Sequence, residues 1–93
     1  MSARTTLIET PPGGIMTEQE GAVTGAVEVT TTDGPDGVEV TARYEGGLDV
    51  WTVTGSPLPC GTAHEQVITA LTTDPGVDEY GNAAVVSLAD WSA

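Results

Sequence analysis

Between the turn-rich stretch Asp33-Gly34-Pro35-Asp36-Gly37 and the pair Gly46-Gly47, one run restricts the fold more than any other. Val38, Val40, Ala42 and Tyr44 alternate without a break against Glu39, Thr41, Arg43 and Glu45. A period of two places the first set on one side of an extended chain and the second on the other. This stretch is therefore a strand with one buried face. Val27 and Val29 alternate in the same way against Glu28 and Thr30, so a second strand precedes the turn, whose residues are those that turns require.

Gly46-Gly47 has the length and chemistry of a two-residue hairpin of the primed type, in which both central residues take positive φ. Counting outward from it sets Ala42 opposite Trp51 and Val40 opposite Val53. Trp51 and Val53 then join the buried face. Leu48 and Val50 fall beside Arg43 and Glu45 on the other. Beyond the loop Gly55–Gly61, Thr62-Ala63-His64-Glu65 reads as a capping box. His64, Val67, Ile68 and Leu71 follow at helical spacing, and Asp74-Pro75-Gly76 ends the helix. The nearly continuous apolar run Ala83–Ala89 reads as a strand covered on both faces.

The expected architecture is α+β: an antiparallel three-stranded meander, one helix packed on a mainly antiparallel sheet, and a fourth strand from Ala83 to Ala89. Residues 22–93 form this single domain. Residues 1–21 read as an N-terminal arm, with a short strand at Thr5–Ile8 broken by Pro11-Pro12-Gly13-Gly14. The abundance of Val and Thr suits a sheet, and aromatic residues are few: Tyr44, Trp51, Tyr80 and Trp91.

Charge narrows the function classes. The chain of 93 residues carries 14 acids against Arg4 and Arg43, a formal net charge of −12, and no lysine. Binding a nucleic-acid backbone requires Lys or Arg to neutralise phosphates, and anionic membrane surfaces make the same demand. Neither partner is expected. The acidity fits a halophile-like or high-GC composition, attraction to a basic partner, or imitation of a nucleic acid. With Cys60 alone there is no internal disulfide. No run approaches the roughly 20 apolar residues of a membrane span, and no secretory leader is read at the N-terminus. The expected location is cytoplasmic or virion-associated.

Little in the sequence carries chemistry. Cys60 and His64 flank a helix N-terminus, where a thiolate is favoured. A thiol enzyme also needs an oriented base and an oxyanion site, and no residue marks either, so a packed cysteine and a half-buried histidine are the simpler reading. One Cys and one His cannot build a zinc site. Asp33 and Asp36 in one loop, and Asp74, Asp78, Glu79 and Asn82 in another, lack the spacing of a calcium-binding loop. No cofactor, metal or catalytic residue is expected.

What remains is contact. One helix covers one face of a four-stranded sheet, leaving Leu48, Val50 and part of the Ala83–Ala89 strand on the other face for a partner or for the arm residues Leu7, Ile8, Ile15 and Met16, of this molecule or a neighbour. The expected function is a non-enzymatic protein–protein interaction module, an accessory, adaptor or virion-associated protein docking through an apolar sheet face or edge. Leu48, Val50, Arg43, Leu7 and Ile8 are the expected surface, the partner another protein or a second copy. The alternative is an acidic inhibitor, immunity or nucleic-acid-mimic protein binding a basic partner electrostatically; a thiol enzyme using Cys60 and His64 comes third.

Overall fold

The computed structural model describes residues 3–90, so Trp91 lies outside it. The chain is α+β, with a mainly antiparallel sheet and one helix. Eight elements follow one another: β1 (Ala3–Glu9), β2 (Ile15–Thr17), β3 (Gly21–Val23), β4 (Ala26–Gly34), β5 (Gly37–Tyr44), β6 (Trp51–Thr52), α1 (His64–Thr72) and a 3-10 turn at Leu88–Asp90. The main sheet runs β1-β4-β5-β6, and β2 and β3 form a separate hairpin.

The meander stands where alternation put it. β4 and β5 turn through Pro35-Asp36, with Gly34 opposite Gly37; proline presets the φ that the first turn position needs. Ala42 lies opposite Trp51, and the Val53 amide donates to the Val40 carbonyl at 3.0 Å. The register is therefore the one counted from the sequence, although the turn is not. The Gly47 amide donates to the Tyr44 carbonyl at 2.8 Å and only Gly46 takes positive φ, +74°. Residues 45–50 make a longer loop around a turn that needs glycine at its third position, and Leu48 and Val50 lie in it rather than on a sheet face.

Among the described residues of the expected arm, the short strand at Thr5–Ile8 is part of the longer β1, and Ile15–Thr17 is β2. β1 pairs with β4 along its whole length, from Ala3 opposite Thr32 to Glu9 opposite Ala26. The fourth strand of the sheet is thus β1, not Ala83–Ala89. The latter segment makes two isolated bridges, Val86 parallel to Ile15 and Ala83 antiparallel to Val77, and otherwise packs as irregular chain up to the 3-10 turn at Leu88. Close approach explains why it lies there: a Cβ on Gly13 would collide with the Ala84 carbonyl, and one on Gly55 with the backbone of Leu88 and Ala89.

The buried face joins Ile8 of β1, Val27 and Val29 of β4, Val38, Val40 and Ala42 of β5, and Trp51. Val67 and Leu71 of α1, Ile15 and Val23 of the hairpin, and Val86 and Leu88 close over it. Each fully buried Val or Leu contributes about 1.5–3 kcal/mol relative to exposure. The helix starts one residue later than the expected box. Ala63 is the N-cap, and its amide donates to Gln66 Oε1 at 3.0 Å, while Thr62 Oγ1 donates to the Pro59 carbonyl at 2.6 Å. Alanine has no side-chain acceptor to return the bond, so the cap is one-sided.

Candidate interaction surfaces

The outer face of the sheet is polar. Pairing aligns Thr5, Thr30, Thr41 and Thr52 in one row across all four strands, and the hydroxyls of Thr5 and Thr30 lie 2.8 Å apart. In the next row Leu7, Glu28 and Arg43 stand side by side, and Arg43 Nη2 donates to Glu28 Oε1 at 3.0 Å. Leu7, 50% exposed, is the only large apolar side chain among the described residues of this face. Among the described residues, the greasy second face expected from the sequence is absent. Its premise, that Leu48 and Val50 continue the sheet, fails at the longer loop. Ile8 also leaves the expected surface: it shares a face with Val27 and is 7% exposed.

Leu48 and Val50 remain outside for a different reason. Leu48 is 97% exposed and Val50 56%, at the end of a loop anchored by Tyr44 and Trp51. These rings pack edge to face with centroids 5.1 Å apart, a favoured geometry. Between this loop and the β2–β3 turn lies a groove of about 280 Å³ lined by Glu20, Tyr44, Gly47, Leu48, Asp49 and Trp51. Glu45 is exposed in the same loop. Arg43 is paired with Glu28 and Arg4 with Glu65 at 2.8 Å, so among the described residues no arginine neutralises Glu20 and Asp49.

Cys60 and His64 are engaged with different partners. His64 is buried under α1, with Nε2 2.7 Å from Thr6 Oγ1 and Nδ1 2.8 Å from Thr31 Oγ1. Both ring nitrogens are thus engaged, and the histidine ties the helix to β1 and β4. Cys60 is exposed, and its Sγ has the Pro35 carbonyl at 4.0 Å as its partner. Beside His64, Glu65 is held below its ordinary 4.5, first by a hydrogen bond from its own backbone amide and then by Arg4.

The acidic loops hold their own backbone. Asp74 Oδ1 accepts from the Gly76 amide at 2.8 Å, and Asp78 Oδ1 accepts from Tyr80 and Asn82, both at 2.9 Å. Among the described residues, no three His, Cys, Asp or Glu side chains gather as a cation would need. No described helix is long and apolar enough to cross a membrane.

The two edges of the main sheet differ. At β6, the Glu18 amide donates to the Thr52 carbonyl at 2.9 Å and the Thr54 amide to the Met16 carbonyl at 3.0 Å, so β2 covers that edge. The pairing order leaves β1 with a neighbour on one side alone. Sequence reasoning missed this edge because the short strand at Thr5–Ile8 is assigned there to an arm, residues 1–21, outside the domain; in the structure Pro11–Gly14 is the corner from which the hairpin departs. Comparison with known protein families, curated proteins and solved structures finds no match for this chain.

Proposed function

We propose that this chain is a non-enzymatic protein–protein interaction module that captures a basic partner protein through the 45–50 loop. The observation that carries the reading is Leu48, almost wholly exposed at the tip of a loop set on a packed Tyr44–Trp51 pair. An exposed apolar tip suits insertion into a partner's pocket, since burying it there removes apolar surface from water. Val50 widens the contact. Glu20, Glu45 and Asp49 surround it, and a net charge of −12 steers a positively charged partner toward the whole molecule. Arg43, bound to Glu28, and Leu7 lie on the outer sheet face and serve at most as a rim. An adaptor, an accessory or virion-associated protein, and an acidic inhibitor all use such a surface. A lone exposed thiol suits a reducing compartment such as the cytoplasm.

Selection of a random displayed-peptide library on the immobilised protein, at low and at high sodium chloride, tests the proposal. Enriched peptides should carry Lys or Arg next to an aliphatic or aromatic residue, and their affinity should fall about tenfold or more with salt. Leu48→Asp should abolish capture without lowering the melting temperature. Enrichment of neutral sequences, or unchanged affinity in Leu48→Asp, would remove the loop from the account.

A further inference from the structure

In an antiparallel ladder the backbone groups of successive residues point alternately to the two neighbouring strands. The Thr10 amide donates to the Gly25 carbonyl at 3.0 Å, continuing the β1–β4 register. Residues of the same parity, Arg4, Thr6 and Ile8, therefore direct N–H and C=O toward β4. The side-chain contact between Thr5 and Thr30 agrees, because the pairs without mutual backbone bonds are the ones whose side chains approach most closely. It follows that the N–H and C=O groups of Ala3, Thr5, Leu7 and Glu9 face away from the sheet. Among the described residues, none of these groups has a hydrogen-bond partner.

An open edge of seven residues without proline or bulge is a template for another strand, and proteins usually blunt such edges. Here the opposite edge is covered by β2 while β1 is left straight. The helix adds a wall. Glu65 reaches Arg4 of β1, so the flank of α1 above this edge is the one bearing Glu65 and, at helical spacing, Ile68 and Thr72. A strand laid along β1 would meet Leu7 on the outer side and this flank on the inner side. The carboxylate of Glu9 stands along its path, and among the described residues the nearby cation, Arg4, is paired with Glu65. A second copy would bring another charge of −12 to the same edge; a cationic strand would not.

We propose that the edge of β1 receives an extended, lysine- or arginine-bearing segment of a partner protein as a fifth strand of the sheet. Backbone pairing with Ala3, Thr5, Leu7 and Glu9 supplies the attachment, as in other strand-addition complexes. Glu9 and the net charge of −12 favour a cationic segment. The site is separate from the 45–50 loop, and the two are read out at different residues.

The test is amide exchange followed by NMR on the intact 15N-labelled protein, alone and with three blocked seven-residue peptides. One alternates lysine with valine, one has glutamate in place of lysine, and one is the lysine peptide N-methylated at every amide on its pairing edge. The lysine peptide should slow exchange at Thr5, Leu7 and Glu9 by about tenfold or more at saturation, and the other two should not. Leu7→Pro, which removes an outward N–H and leaves the bonds of Thr6 and Ile8 to β4 in place, should lose the protection. Equal protection by the N-methylated peptide would mean that no strand is added. Protection that grows with protein concentration and needs no peptide would make a second copy the occupant, and shifts confined to residues 45–50 would place the peptide elsewhere; either result overturns the proposal.

Discussion

Ile15→Ala separates a hairpin that belongs to the core from a loosely attached arm. Ile15 is 0% exposed, and its strand is held to Val23 on one side and to Val86 on the other. Truncation to alanine removes three methyl or methylene groups, about 2.4 kcal/mol at roughly 0.8 each. The Met16 amide bond to Val86 at 2.8 Å and the Thr54 amide bond to Met16 at 3.0 Å hold the surrounding backbone in place. The cavity therefore cannot collapse freely, which raises the cost to about 3–4 kcal/mol. A domain of this length has roughly 5–14 kcal/mol in all. At about 4–8 °C per kcal/mol, the melting temperature should fall by about 12–30 °C, read by circular dichroism and by urea denaturation. Leu48→Ala, at an exposed site, should change stability by less than about 0.5 kcal/mol. If Ile15→Ala costs under about 1 kcal/mol, the hairpin does not close the core and the sealed β6 edge is wrong.

Three further outcomes follow. His64→Ala strips the buried Thr31 hydroxyl of its partner and unpins α1 from β1, so it should cost about 1–3 kcal/mol, measured by denaturant titration. Cys60 should react completely with a thiol reagent in the absence of denaturant, and Cys60→Ser should shift stability by no more than about 0.5 kcal/mol. Glu65 has a folded-state pKa below its ordinary 4.5, caused first by its own backbone amide and then by Arg4. Its contribution is present in full above 4.5 and is lost as pH falls through the lowered value. The carboxylate is exposed, so the effect is small; Glu65→Gln should melt slightly below the parent at neutral pH and together with it in strong acid.

How far the fold was legible depended on local signals. Val38–Tyr44 and Val27–Thr30 announced themselves because one face is buried and the other wet, and the pairing of Ala42 with Trp51 came from counting across the turn. The same counting misled at Leu48 and Val50, since alternation also runs through a loop, and only the positive φ of Gly46 without Gly47 reveals the longer turn. β1 was obscured because its seven residues expose five side chains and show no buried period, so its place rests on long-range pairing with β4. Ala83–Ala89 misread in the opposite direction: only Val86 and Leu88 of the apolar run are buried, and chain passing close over Gly13 and Gly55 brings them to the core. His64 was placed on the inner face of the helix correctly, but no sequence signal linked it to Thr6 and Thr31. The candidate surface was legible as acidity and as exposed Leu48 and Val50, and illegible as a sheet edge, which is a property of topology.

Amide exchange of the free protein tests the central claim, that β1 is an integral strand with one open side. Arg4, Thr6 and Ile8 should exchange slowly, while Thr5, Leu7 and Glu9 exchange quickly. Uniformly fast exchange from residue 3 to residue 9 would restore the detached arm, and uniformly slow exchange would mean the edge is already covered; either result would contradict the account.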